Sequence, residues 1–129
     1  TIFLAKILRN DPVLVVGDGT QTRSFTYVDD AVRGMMAAAE RPEGEGEAFN
    51  LGSNAEITIA ALAKQMIALA SSASTITYVK QEQVYGPSYE DVPRRVPDIR
   101  KAQQRLGFTA TTSLDEGLRR TIEWFKSHG

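Results

Sequence analysis

Two stretches of this chain carry residue types at spacings that could do chemistry. The first runs Gly17-Asp18-Gly19-Thr20-Gln21-Thr22-Arg23-Ser24-Phe25-Thr26-Tyr27-Val28-Asp29-Asp30. The second runs Pro93-Arg94-Arg95-Val96-Pro97-Asp98-Ile99-Arg100-Lys101-Ala102 and continues to Leu106-Gly107-Phe108. In the first, a glycine turn leads to Arg23 on an extended segment. A guanidinium presents a planar fork of donors that matches phosphate oxygens, so bidentate anion binding is the chemistry to expect. The plain alternative is one more solvated surface arginine. In the second, Arg94 and Arg95 lie in a loop just before a helix expected to start at Asp98. A helix amino terminus beside arginines suits an anion; the alternative is that Asp98 only caps the helix and the arginines are solvated. For Asp98 the cap is the better reading.

Other chemistries are poorly supplied. Gly17 and Gly19 open like a dinucleotide fingerprint, but Thr22 stands where the third glycine would fall and a strand follows instead of a helix. That makes a turn, not a phosphate cradle. There is no cysteine, hence no disulfide, thiolate ligand or cysteine nucleophile. The single histidine, His128, is one residue from the end, so neither a catalytic residue nor a metal site is expected. A formal net charge of −1 gives no global field for nucleic acid. No apolar run approaches the roughly 18–20 residues that span a bilayer, and the amino terminus does not read as a signal peptide. A cytoplasmic setting fits these features.

The positioning elements follow from period and punctuation. In 129 residues there is room for one domain with a real core and little for two. Ile2, Phe3, Leu4, Ile7 and Leu8 form a helical stripe that should stop near Asn10, because Pro12 disfavours helix at Asp11. With no capping residues before it, this stripe reads as the interior of a longer protein. Val13–Val16 is a short buried strand, and Thr20–Val28 is mostly extended. Asp29 or Asp30 caps a helix whose Val32, Met35, Met36 and Ala39 lie on one face at helical spacing. An exposed Pro42–Glu47 loop leads to a strand at Ala48–Leu51. A helix over Ile59–Leu69, a serine turn and a strand at Thr75–Val79 come next. Lys80–Val96 is a long loop of the kind that carries function. Asp98 starts a helix stopped by Gly107, and Ser113 with Glu116 makes a capping box for a last helix with Leu114, Leu118, Ile122 and Phe125 inward. The expected class is α/β, a small helix-rich domain with short strands.

Taken together, these segments resemble the second half of the extended short-chain dehydrogenase/reductases that act on nucleotide sugars. That NAD-dependent family includes UDP-glucose 4-epimerase, dTDP-glucose 4,6-dehydratase and UDP-glucuronate decarboxylase. Gly17 to Asp30, Asn50-Leu51-Gly52, Arg95 to Phe108 and Leu114 to Phe125 carry the resemblance, in family order over essentially the whole chain. It implies that residues 1–129 are the carboxyl-terminal, substrate-binding part, without the Rossmann half. It implies that Arg23 contacts the diphosphate or ribose of a UDP- or dTDP-linked sugar, and that Arg95 contacts the diphosphate from the far side. Gln21, Thr22 and the Leu14–Val16 strand would lie near the nucleotide, with Arg94 a second candidate. Asp30 and Asp98 would be structural caps, and Asn50 and Gly52 would shape a turn.

The departures from the family matter as much. Its glycine-rich NAD loop and its Ser/Thr plus Tyr-x-x-x-Lys set belong to the first half. Neither occurs here: no tyrosine has a lysine four residues later, and Tyr78 is followed by Glu82. The chain is therefore expected to bind no cofactor itself, with NAD held in the parent enzyme, and to be catalytically incomplete. Two other readings stand beside this one: a free-standing, non-enzymatic nucleotide-sugar-binding or protein-interaction module, and a plain structural domain. Family sites lie between two domains, so binding by this part should be weak. An orphaned apolar edge such as Ala48–Leu51 should draw the chain into a homodimer or swapped oligomer.

Overall fold

The β-branched run Val13–Val16 forms strand β1, and Ile76–Val79 forms β4, which pairs with it in parallel. The register sets Val13 opposite Ile76 and Val16 opposite Val79. A parallel pair requires a crossover connection, and helix α3 (Ile59–Ala70) lies within it. The computed structural model describes residues 2–86 and 91–128. It divides into two compact units: residues 1–23, 57–94 and 118–129 form one, and residues 24–56 and 95–117 the other. The expected α/β class with short strands is borne out.

In the first unit, helix α1 (Ile2–Ile7) and α3 both pack on β1, burying Leu4, Ile7, Val13, Val15, Leu62, Ala63 and Met66. Every second residue of β1 faces inward, as the period of a strand requires. Asn10 ends α1 in the left-handed region at φ 59°, a conformation its short polar side chain tolerates. Its Oδ1 accepts from the Ala73 amide at 2.8 Å, while the Ser72 hydroxyl donates to the Ile7 carbonyl at 2.7 Å. These bonds fasten the end of α1 to the serine turn. Thr58 caps α3 by accepting from the Ala61 amide at 3.1 Å. The long loop from Lys80 is partly regular, with a one-turn helix α4 (Gln81–Tyr85) and a short strand β5 (Arg94–Arg95). Residues 87–90 of that loop lie outside the described residues.

Strand β2 (Thr22–Ser24) is the middle of a three-stranded sheet of order β3-β2-β5, where β3 is Glu56–Thr58. The extended stretch expected over Thr20–Val28 is thus regular strand for three residues only.

The second unit is built on helix α2 (Val28–Glu40) and helix α5 (Arg100–Leu106). Its core is Ala102, Leu106 and Phe108, packed by Ala37, Ala38, Phe49, Leu51 and Ala110. Two expectations, a cap at Asp30 and a strand at Ala48–Leu51, are corrected here. The apolar stripe of α2 lies outward: Val28, Val32, Met35 and Met36 are between 44% and 60% exposed. The buried face carries Asp30 and Gly34 instead, because small residues let α2 approach Leu51 and Phe108 closely; a Cβ on Gly34 would stand 2.9 Å from the Phe108 ring. Asp30 is not the N-cap, which is Tyr27. Its carboxylate is fully buried and accepts from Arg33 Nη2 at 2.5 Å and from the Thr112 amide at 2.9 Å. Ala48–Leu51 is not a strand, since a strand needs a ladder partner and the described residues offer none there. Glu47 fastens that segment to α5 by accepting from Lys101 at 2.7 Å and Arg105 at 2.6 Å. Those hydrogen bonds, Lys101 foremost, hold the Glu47 carboxyl below its usual value.

Helix α6 (Leu114–His128) begins as its capping signal requires, with the Glu116 amide donating to the Ser113 hydroxyl at 3.2 Å. Ile122 is buried as expected, and Leu114, Leu118 and Phe125 are partly buried. Among the described residues, no helix is long and apolar enough to cross a membrane, and no group of three or more His, Cys, Asp or Glu side chains could hold a metal ion.

Candidate functional site

β1 ends in the turn Gly17-Asp18-Gly19, with Gly17 at φ 74° and Gly19 at φ 75°. Asp18 closes it by accepting from the Thr20 hydroxyl at 2.7 Å and the Thr20 amide at 2.9 Å. The hydroxyl, and then the amide, keep the Asp18 carboxyl below the usual carboxylate value. The start of α3 holds the turn from the other side: the Ala60 amide donates to the Gly19 carbonyl and the Ile59 amide to that of Gln21, both at 3.0 Å. A Cβ on Gly19 would stand 2.8 Å from the Ala60 Cβ and 2.9 Å from the Val15 side chain. Packing and dihedral therefore both demand glycine. Gly19→Ala is expected to cost about 2 kcal/mol, from left-handed backbone strain plus overpacking. Urea unfolding followed by circular dichroism measures it; an unchanged midpoint contradicts this account of the turn.

This turn does not fit a dinucleotide. The chain leaves it into α3-braced extended backbone and then β2, so no helix amino terminus receives a pyrophosphate. The glycine spacing serves close packing on α3.

Gln21 reaches back to the end of β1, its Nε2 donating to the Val16 carbonyl at 2.9 Å. Thr22 pairs through its backbone with Pro93, amide to carbonyl, at 2.8 Å. Next comes Arg23, whose guanidinium is held by three acceptors. Nη1 donates to the Thr22 and Val92 carbonyls, each at 2.8 Å, and Nη2 to the Asp91 carboxylate at 2.7 Å. The two side chains are only 18% and 27% exposed, which separates Arg23 from an ordinary solvated arginine. In the same unit, Val16, Gly17, Asp18, Thr20, Gln21, Gln81, Asp91 and Pro93 line a cavity of about 210 Å3. Gln21 and Val16 at the end of the Leu14–Val16 strand line this cavity, while Arg23 meets it only through Asp91, with Thr22 between Gln21 and Arg23 along the chain. Asp91 was not found from the motifs. The available signal was a rule and not a pattern: a half-buried guanidinium needs a carboxylate, and the long loop was the place to look for it.

Arg94 and Arg95 form β5 and are exposed. Arg94 falls in the first unit and Arg95 in the second. The helix start and cap expected at Asp98 are corrected. Helix α5 begins at Arg100 with Ile99 as N-cap, not at Asp98. The Arg100 amide donates to Asp98 Oδ1 at 3.1 Å, and the Arg100 side chain pairs with the same carboxylate. The chain's own anion fills that position. Arg100, through its side chain first, holds the Asp98 carboxyl at a pKa of about 2. Asn50 donates to the Asp98 carbonyl at 3.3 Å, consistent with its turn-shaping role. Gly52 sits where a Cβ would approach Thr26 and Pro97 at 3.1 and 3.3 Å.

A family model described as GDP-mannose 4,6 dehydratase matches residues 1–121. The chain belongs to this family of nucleotide-sugar dehydratases, epimerases and decarboxylases. It is 40% identical over 124 residues to the UDP-N-acetyl-alpha-D-glucosaminuronate decarboxylase of Bacillus cytotoxicus, a match that covers 96% of this chain and 38% of that one. Its structure is similar to that of the UDP-glucose 4-epimerase of Thermotoga maritima, solved with UDP-glucose. The TM-score is 0.86 at 33% identity, over 98% of this chain and 38% of that one. The UDP-glucuronic acid 4-epimerase of Bacillus cereus, solved with UDP-glucuronic acid and NAD, matches at a TM-score of 0.85 and 29% identity over 100% of this chain and 40% of that one. The chain thus spans about two fifths of the length of these relatives.

Proposed function

We propose that this chain is the nucleotide-sugar-binding portion of an NAD-dependent sugar epimerase, dehydratase or decarboxylase, and that it performs no chemistry by itself. The observation that carries this is Arg23: a largely buried guanidinium held by three acceptors, one of which, the Asp91 carboxylate, lines a cavity in the same unit. Charge-assisted donors so fixed in direction suit a pyrophosphate. Gln21 and Thr22 serve the nucleotide beside it. Arg95 is assigned as the second phosphate contact, with Arg94 as its auxiliary, on the strength of the family motif. NAD belongs to the rest of the parent enzyme, for the turn at Gly17–Gly19 does not suit it, and the setting is the cytoplasm.

Titration calorimetry of the chain with UDP-glucose and UDP-glucuronate tests this reading. A Kd on the order of 0.1–1 mM is expected, since this chain spans only about two fifths of its relatives' length and the family resemblance implies a site completed by a second domain. Absence of heat at millimolar ligand refutes it.

The exposed side chains of Val28, Val32, Met35 and Met36 support a second part of the proposal, self-association. A contiguous apolar patch of this kind on a soluble surface usually marks an interface. Light scattering at about 100 µM should report a mass near twice that of the chain, or more, falling to the monomer for Met35→Glu. A monomeric wild type contradicts the idea.

A further inference from the structure

The chain has three methionines, Met35, Met36 and Met66, and no cysteine, so its thioethers are the side chains most open to mild oxidation. They sit in opposite environments. Met66 is buried on α3 at 7% exposure, whereas Met35 and Met36, neighbours on α2, are 56% and 53% exposed. Both belong to the apolar patch with Val28 and Val32 on which the self-association reading stands. Met36 also lines a cavity of about 510 Å3 shared with Arg33, Arg41, Leu106 and Phe108.

Oxidation changes what that patch can do. The sulfur lone pair of a thioether attacks one oxygen of hydrogen peroxide. An S–O bond forms as the O–O bond breaks, and the departing hydroxide takes the proton of the transferred oxygen and leaves as water. Sulfur loses two electrons and the peroxide gains them. The product is a sulfoxide, a polar group with a strong acceptor oxygen. In the free chain that oxygen is hydrated, and at Met36 it has guanidinium donors in the same cavity. Pressed against the apolar patch of a second copy it is desolvated without a partner, a cost that falls on the associated form alone. We propose that Met35 and Met36 form a peroxide-sensitive modification site whose oxidation disperses the self-associated chain. The converse follows from linkage: association covers the two sulfurs and slows their oxidation. The inference rests on the self-association reading, which the mass before oxidation tests separately.

The test treats the full chain with hydrogen peroxide and follows it by peptide mass spectrometry and light scattering. At about 1 µM protein, where association is weakest, Met35 and Met36 should each take up oxygen about tenfold faster than Met66, as their exposure requires. At about 100 µM that lead should shrink at least twofold while Met66 keeps its rate. The oxidised chain should associate at least about tenfold more weakly and scatter as the monomer. Thiol-driven methionine sulfoxide reductases acting on both sulfoxide epimers should restore the original mass. Met66→Leu, which conserves core volume, should disperse in peroxide as the wild type does. Equal oxidation rates at the three methionines, an oxidised chain that stays associated, or a Met66→Leu variant that no longer disperses would overturn the proposal. A wild type that is monomeric before any peroxide is added would overturn the self-association reading, and this inference with it.

Discussion

Arg23→Ala should abolish measurable binding of UDP-glucose. Two effects add in the same direction. The substitution removes charge-assisted hydrogen bonds to the pyrophosphate, worth about 1.5–3 kcal/mol. It also leaves the Asp91 carboxylate, 27% exposed, without its cation at the point where the ligand's own negative charge must settle. A loss of roughly a hundredfold, about 2.7 kcal/mol, follows. Starting from a Kd on the order of 0.1–1 mM, that carries the affinity out of calorimetric range. Arg95→Ala should weaken binding less, roughly tenfold, because an exposed guanidinium is well solvated before it meets the ligand. Circular dichroism must show both variants folded, and Arg23→Ala retaining wild-type affinity would remove Arg23 from the site.

Asp30→Ala should be the most destabilising change in the second unit. The Asp30 carboxylate is fully buried and draws together Arg33, the Thr112 amide and the Thr111 hydroxyl, which stands 3.4 Å from Oδ1. Deleting it strands buried donors and one partner of an ion pair whose arginine is half exposed. About 3 kcal/mol is expected, lowering the midpoint of thermal unfolding by roughly 10 °C. The pH dependence has a definite sign. Burial alone would raise the Asp30 carboxyl, but hydrogen bonds from Thr112 and Thr111 and the charge of Arg33 outweigh it, and the value lies below the ordinary 3.8. A folded-state value below the unfolded one stabilises above about pH 4. That contribution drains away as the pH falls through the lowered value. Wild type should therefore lose stability on acidification below pH 4 more steeply than Asp30→Ala. Parallel acid limbs would show that Asp30 is not the group responsible.

What the amino-acid sequence disclosed and what it concealed divide along a physical line. Val13–Val16, Ile76–Val79 and the helix from Ile59 were legible because period and punctuation are local. So were the left-handed stop at Gly107, with φ 61°, and the Ser113 cap. The inward face of α2 was not legible. A period of 3.6 residues identifies an apolar stripe, but Gly34, Ala37 and Ala38 bury by close approach, and the stripe of valine and methionine is left outside. Ala48–Leu51 reads as a strand by composition, yet pairing is a property of two segments and no partner lies among the described residues. The site divides in the same way. The motifs named Arg23 and Gln21; Gln21 lines the cavity, and Arg23 is tied to it through Asp91. Asp91 lies 68 positions from Arg23 along the chain, in a segment without period, so only the fold could pair them. Asp98 reads as the cap of α5, yet Ile99 is the N-cap, and the Asp98 carboxylate serves the Arg100 amide and side chain instead.

Nuclear magnetic resonance of the 15N-labelled chain during addition of UDP-glucose tests most directly whether the pocket beside β1 receives the pyrophosphate. The Arg23 Nε–H signal and the amides of Gly17 and Gln21 should move together, saturating at millimolar ligand, while Lys101 and Arg105 near Glu47 stay still. Movement confined to the neighbourhood of Asp98, Arg100 and Lys101, or a spectrum that does not change, would contradict the assignment.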